Sequence, residues 1–231
     1  MQPGDVISYL EMCAKEGVSL QRGMNFHLSP NMSVILMSTR PGAPYADEVL
    51  DAGQTLIYEG HDEPRQRGGP DPKSVDQPLH TPAGGLTQNG LFHQAAKAFR
   101  DGQVKAELVR VYEKIRQGIW VYNGIFRLVN AEAVKSGRRK VFKFRLELTD
   151  IEDDGAPAVG SVDLTRTRMI PSWGKLAVWK RDGGKCVTCG KTDNLHFDHI
   201  IPFSREGTSL LSENIQLLCA RHNLEKRAKI E

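Results

Sequence analysis

The chain has 231 residues, a formal net charge of +3, 39% hydrophobic and 26% charged residues. These proportions suit a globular protein with a genuine apolar core, and the length allows one or two domains. No apolar run approaches the ~18–20 residues of a membrane helix, and MQPGDVISYL lacks a basic-then-apolar signal pattern, so a cytoplasmic protein without a membrane partner is expected. The charge is unevenly spread. Residues Arg166 to Glu231 carry 12 Lys/Arg against 7 Asp/Glu, or +5, while the remainder carries 19 against 21, or −2. The C-terminal part is therefore the one that charge draws toward phosphate.

Taken in chain order, Asp5–Glu16 has apolar residues at helical spacing, with Asp5 as its N-cap and Cys13 a small buried hydrophobe. Asn25–Asn31 reads as a turn-rich loop and Ser33–Ser38 as a buried strand. In YADEVLDAGQTLIYEG, Tyr45 and Tyr58 flank Asp47 and Glu48, and Thr55–Tyr58 reads as a strand. The stretch His61–Leu86 is rich in Gly, Pro and charge, which predicts a long functional loop. Gln88–Arg100 reads as a helix capped at Thr87 or Asn89. Strands are predicted over Leu108–Glu113, Gly118–Tyr122, Ile125–Asn130 and Lys140–Leu148, with a turn at Gly124. An α+β fold with a strongly bent or barrel-like sheet follows for this half. The acidic, Gly/Pro/Ala-rich tract from Asp150 to about Pro171 is read as a linker. This divides the chain into 1–149, a linker over 150–171, and 172–231.

In the last part, Trp173–Arg181 predicts a helix leading into two half-sites, Cys186/Cys189 and Cys219/His222. Three thiols and an imidazole at this spacing make a closed tetrahedral set of the kind Zn²⁺ takes, which is structural and not catalytic. Chemistry then belongs inside the bracket, where Asp198-His199, Asn214 and Asn223 lie. Strands are expected over Leu195–Ile201 and Ile215–Leu218, a loop over Pro202–Glu213, and a short basic helix over Ala220–Ile230. A bare zinc ribbon with ordinary polar residues at Asp198 and His199 is the alternative.

These bracketed residues resemble the HNH (ββα-metal) nuclease family. Its first motif residue matches His199, preceded by Asp198, its middle Asn matches Asn214, and its third position is held by Asn223 in place of His. The resemblance implies a small zinc-stapled domain that hydrolyses phosphodiesters with one divalent ion, Mg²⁺ or Mn²⁺. His199 is then the base that deprotonates water, Asp198 and Asn223 are the oxygen ligands of the ion, and Asn214 pins the loop.

The tract from Tyr45 to Val129 resembles the SRA (YDG) family of modified-cytosine readers. The matching residues are Tyr45-Ala-Asp47, Gly53, Thr55-Leu-Ile-Tyr58-Glu-Gly60, Asp76-Gln77-Pro-Leu79, Thr87-Gln-Asn89-Gly90 and Val109-Arg110-Val111. The family's Tyr-Asp-Gly appears as Tyr122-Asn123-Gly124. The resemblance implies base flipping, with Tyr45 and Tyr58 sandwiching the base and Asp47, or alternatively Glu48, accepting from the cytosine N4 amine. Arg65, Arg67 and Lys73 on the long loop would hold phosphates; a solvated charged loop is the alternative. SRA followed by HNH is the order of bacterial modification-dependent restriction endonucleases. The expected partner is double-stranded DNA carrying 5-methylcytosine or 5-hydroxymethylcytosine. The expected assembly is a homodimer, because cutting both strands takes two active sites or sequential nicks. The rival readings are a nuclease indifferent to modification and a non-catalytic methyl-DNA binding module.

Overall fold

The computed structural model describes residues 1–28, 32–151, 169–202 and 207–226, the side chain of Ala52 excepted. Within them the fold is α+β. One eight-stranded sheet runs in the order β2 (Met24–Leu28), β3 (Met32–Met37), β6 (Glu107–Arg116), β7 (Ile119–Ser136), β8 (Arg139–Leu148), β5 (Thr55–Glu59), β4 (Glu48–Leu50), and β1 (Val6–Ser8) pairs with β7. Only the β3–β6 contact in this sheet is parallel. A separate hairpin joins β9 (Leu195–His199) to β10 (Ile215–Cys219). The described helices are α1 (Tyr9–Glu16), α2 (Gln88–Arg100), α3 (Ser172–Asp182) and α4 (Ala220–Lys226). None is long and apolar enough to cross a membrane.

Strand β7 joins the two parts of the sheet. Its first half pairs with β6 and β1, and its second half pairs with β8, so one 18-residue strand turns from one set of neighbours to another. Period-two alternation then builds two cores, one on each face. On β3, Ile35 and Met37 face a core shared with Phe92 and Ala96 of α2, while Val34 faces Met12 of α1. Helix α1 is also tied to the sheet by polar contacts, since buried Glu16 accepts from Arg110 at 3.0 Å and from the Tyr112 hydroxyl at 2.6 Å.

Three sequence expectations are corrected by this architecture. Helix α1 begins at Tyr9 and not at Asp5, because Val6–Ser8 pair with β7 and Ser8 is a better cap. The Ser8 hydroxyl accepts from Glu11 N, and Glu11 reaches back to Ser8 N, a reciprocal capping box. The predicted loop from Asn25 is a strand as far as Leu28, and its turn-prone residues mark a bulge with His27 at φ 46; residues 29–31 lie outside the described residues. Gly124 is no turn but a bulge position inside β7. Val111 pairs with Gly124 and Tyr112 with Tyr122, which leaves Asn123 as the extra residue, and Gly124 takes φ 111. Most of the expected linker, residues 152–168, lies outside the described residues.

The hairpin and α3 pack directly on the large sheet, and α4 packs on the hairpin. Ile115 of β6 and Val121 of β7 join one apolar cluster with Ile170, Val178, Phe197 and Leu217. A buried polar group adjoins it. Lys175 of α3 donates to Glu113 at 2.8 Å and to Asn123 at 2.5 Å, and Asn123 donates to Glu113 at 3.2 Å. Burial alone would raise the Glu113 carboxyl; the Lys175 charge and these hydrogen bonds outweigh it and hold the group below the usual range. Asn at the bulge thus accepts a lysine proton and donates to a carboxylate at once, which Asp could not do. The N-terminal segment bridges the same junction. Gly4 N donates to Tyr122 O, Phe197 N donates to Gly4 O, and Asp5 Oδ1 lies 2.6 Å from His196 Nδ1.

Candidate active site

The four residues Cys186, Cys189, Cys219 and His222 converge, with ligand atoms all within 4.8 Å of one another. Cys189 Sγ and Cys219 Sγ are 3.8 Å apart, and His222 Nδ1 lies 3.3 Å from Cys186 Sγ and 3.4 Å from Cys219 Sγ. A tetrahedron with metal–sulfur bonds of about 2.3 Å has sulfur–sulfur edges of about 3.8 Å. The donor set therefore fits a zinc-sized ion. Burial would raise the Cys186 thiol, but backbone N–H groups and the His222 ring outweigh it and lower it to about 6. Cys189 gains from the Lys191 N–H, yet burial and the neighbouring sulfurs Cys186 and Cys219 leave it raised. Thiolates this close together need a cation.

Hairpin β9–β10 presents the next group. Pairing of Ile215 with His199 and of Gln216 with Asp198 fixes the end of β9. Beyond it, Asn214 holds the connecting loop from inside. Its Oδ1 accepts from Ile201 N at 2.8 Å, and its Nδ2 donates to Thr208 O at 3.0 Å and to Ile201 O at 3.3 Å. Helix α3 braces the hairpin from behind, where Arg181 donates to Ser212 O and Ile215 O, and Asp182 accepts from Leu217 N.

Asp198, His199 and Asn223 line one cavity of about 170 Å³, whose far wall is the N-terminal segment Gln2–Asp5. Asn214 stands outside that cavity, in the position of a brace. His199 Nε2 lies 2.8 Å from the Oγ of Ser209, a hydroxyl on a residue only 2% exposed. Asp198 Oδ2 is buried and has no hydrogen bond of acceptable angle. Lys226 Nζ, 2.7 Å away, gives it a charge partner and also donates to His199 O. A buried carboxylate oxygen with unused lone pairs, beside a side-chain amide oxygen, is the donor chemistry that a hard divalent cation takes. Sequence reading did not single out Ser209, Lys226 or Arg181. Lys226 alone carried a signal, being three residues from Asn223 on α4 and so on one helical face with it.

The residues expected to read a base line separate cavities. Tyr45, Asp47 and Tyr58 line a cavity of about 760 Å³ together with His61, Arg22 and Trp120. Tyr45 and Asp47 also line a second cavity of about 450 Å³ with Glu59, Lys73 and Arg139. Asp47 is largely committed to the fold, because Oδ1 accepts from Glu59 N at 3.0 Å and Oδ2 from Ser38 N at 2.9 Å. Burial pushes its carboxyl up to about 6 against those two bonds and the Lys143 charge. Glu48 is exposed, with Lys143 at 3.9 Å. Tyr58 is buried, and its hydroxyl lies 3.0 Å from His61 Nε2. The His61 ring stacks on Tyr45, with centroids 5.5 Å apart and planes 23° from parallel. Burial, more than the nearby cations, depresses that imidazole to about 4. Lys73 braces Tyr45, with Nζ 4.1 Å from the ring centroid, 2.7 Å from Asp62 and 2.5 Å from Pro44 O. Arg65 and Arg67 are exposed on the long loop.

Residues 186–229 match the HNH endonuclease family. That stretch holds the four clustered ligands and the cavity residues Asp198, His199 and Asn223. No curated protein matches the chain. Among solved structures, the SRA domain of SUVH5 with hemi-methylated CG DNA aligns at a TM-score of 0.44 and 22% identity, covering 64% of this chain and 88% of that one. The same domain bound to fully hydroxymethylated CG DNA gives 0.44 and 22%, over 64% and 89%. The DNA modification-dependent restriction endonuclease AspBHI aligns at 0.41 and 16%, over 60% and 66%.

Proposed function

We propose that the chain is a modification-dependent DNA endonuclease. The N-terminal sheet flips and reads a 5-modified cytosine, and the HNH segment cuts nearby. The observation that carries the catalytic half is the cavity where Asp198, His199 and Asn223 meet, with Asn214 pinning the loop behind them. For the reading half, support comes from the SRA-like residues of the sequence and from the clustering of Tyr45, Asp47 and Tyr58 around one cavity.

In this reading Cys186, Cys189, Cys219 and His222 hold zinc, and Asp198 and Asn223 hold magnesium or manganese. The latter ion, when bound, would neutralise phosphate charge and stabilise the leaving oxygen. His199 takes the proton from the attacking water; an imidazole titrates near ~6.5 and suits that work at neutral pH. Ser209 fixes the rotation of the His199 ring through Nε2. Lys226 holds the Asp198 carboxylate and the end of β9 in register with each other. Asn214 keeps the loop from collapsing onto the cavity.

At the other site, Asp47 accepts from the cytosine N4 amine, with Glu48 the neighbouring carboxylate that could replace it. Filling a pocket with one methyl group discriminates by roughly 10- to 200-fold, so preference for 5-methylcytosine is real but incomplete. The 5-hydroxymethyl base fits the same cavity. Arg65, Arg67 and Lys73 contact phosphates, and a homodimer supplies the second active site for the second strand.

The test is cleavage of one plasmid in unmodified, CpG-methylated and fully hydroxymethylated forms, each with Mg²⁺ and with Mn²⁺. Cutting confined to the modified forms is expected. Equal cutting of all three would leave the HNH site standing and remove the reader, and binding without cleavage in either metal would remove the nuclease.

A further inference from the structure

We propose that His61, and not Tyr58, is the ring that faces Tyr45 across the flipped base. This inference rests on reading the N-terminal half as a modified-cytosine reader, and it names the second wall of that same pocket.

Tyr58 is poorly placed to offer a face. Its ring belongs to the main apolar core with Phe92, Leu56 and Phe144, and the residue is 2% exposed. What reaches the cavity is its hydroxyl, which meets His61 Nε2 at 3.0 Å. Relative to His61, the Tyr58 ring is tilted by 57° at a centroid distance of 6.2 Å, which is no parallel wall. His61 and Tyr45 are within 23° of parallel. Two rings in that relation form a slot that a third flat ring can enter.

The slot is narrow as it stands. Stacking contacts of about 3.5 Å on each face of a base place the flanking rings about 7 Å apart. The two rings now stack on each other with centroids 5.5 Å apart, so they must part to admit a base between them. The His61 side is the fixed one. Its N–H donates to Asn89 Oδ1 and its carbonyl accepts from Asn89 Nδ2, both at 2.8 Å, and Asn89 is itself buried on α2. Gly23 completes the support. A Cβ there would come 2.6 Å from the Tyr58 hydroxyl and 2.9 Å from His61 Nε2, so bare backbone is what allows the Tyr58–His61 pair to stand. Tyr45 lies on the other side, on the segment Ser38–Asp47 that lines both cavities; among the described residues its hydroxyl has one 3.4 Å contact from Asp62 N, and its ring carries the Lys73 ammonium at 4.1 Å, a contact that must shift with it. The slot therefore opens by movement of Tyr45. Tyr58 is a positioning residue that sets the His61 ring.

The experiment measures fluorescence anisotropy of two duplexes that differ by one 5-methylcytosine, binding the full chain without added magnesium or manganese. His61→Ala removes a stacking face and is expected to reduce the preference for the modified duplex by about 5- to 150-fold, to the limit of the wild-type preference. His61→Phe keeps the face and retains the preference, whereas His61→Leu, which fills similar space without a flat ring, loses it. The Phe/Leu pair decides the matter even if the alanine variant fails to fold, and Tyr58→Phe, which removes the hydroxyl that sets the His61 ring but leaves the ring itself, should lower the preference less than His61→Leu does. Wild-type preference in His61→Leu, or tighter modified-DNA binding in His61→Ala, would overturn the assignment by making the ring an obstruction. If neither wild type nor Tyr45→Ala distinguishes the duplexes, the reader itself is wrong. If Tyr45→Ala loses preference and His61→Leu keeps it, only this inference fails.

Discussion

The two sites of the molecule commit their polar groups differently. At the HNH site the supporting side chains are the saturated ones. Asn214 makes three hydrogen bonds to the loop, and Arg181 and Asp182 tie α3 to the hairpin, while Asp198 Oδ2 is left with an ion pair and no hydrogen bond. At the other site the residues proposed for recognition are themselves engaged, Asp47 by two backbone N–H groups and Tyr58 by His61. Catalysis rewards groups held in place before substrate arrives, because no reorganisation is then needed during reaction. A pocket for a flipped base has a different problem, since it must keep its polar atoms satisfied when empty and exchange those partners on binding.

Perturbations should expose that contrast, and the largest effect is expected at the metal ligands. Structural zinc contributes on the order of 10 kcal/mol to the folding of small metal domains. Cys186→Ser should therefore unfold the C-terminal part and abolish cleavage, which protease sensitivity confined to residues after α3, together with loss of bound zinc, would report. His199→Ala is next. Removing a general base costs roughly 10²- to 10⁴-fold in rate, with binding to modified DNA retained; normal cutting by this variant would show that the site has been misassigned.

Third comes the junction. Leaving a buried charge unpaired costs about 3–5 kcal/mol, so Lys175→Met should lower the denaturant midpoint of the whole chain by a corresponding amount. Adding Glu113→Gln should recover part of the loss, and a second variant that only deepens it would contradict the pairing.

The smallest effect is the most specific to the proposed reading site. Asp47 has a folded pKa of about 6 against an ordinary 3.8, so the native state binds more protons than the unfolded one between those values and stability falls as pH rises through them. His61, at about 4 against 6.5, does the reverse, and stability rises with pH across that window. Each is worth about 3 kcal/mol when fully expressed, and in the wild type they oppose each other. Denaturant midpoints from pH 4 to 7, taken relative to wild type, should slope upward in Asp47→Asn and downward in His61→Phe. Parallel profiles would mean that neither group is buried as described.

Much of this was legible in the sequence wherever local chemistry decides. Ligand spacing announced the metal cluster, and the strands around His199 begin where expected, at Leu195 and Ile215, with the first ending at His199 and the second at Cys219. Helix α2 begins at Gln88 and is capped by Thr87, one of the two caps that sequence offered. The misses share a cause. At Asp5, Asn25 and Gly124 a residue type that favours caps or turns was read locally, and strand pairing across long sequence separations overrode it. Ser209, Lys226 and His61 matter through contacts that no spacing rule encodes, except for the helical register of Lys226 with Asn223. Asn123 stands where the SRA family's signature has Asp, and the sequence shows that exchange without its reason. Its consequence became visible only once Lys175 arrived from another part of the chain.

That lysine also bears on how the protein can be re-engineered. Readers and cutters joined by a tether are often treated as interchangeable cartridges. Here α3 inserts its ammonium into the bulge of β7, and Ile115 and Val121 supply part of the hairpin's apolar packing. A foreign N-terminal sheet grafted onto this C-terminal part would strand a charge and uncover a greasy face unless it carried the matching carboxylate, amide and aliphatic pair. The seam sets which chimeras can exist.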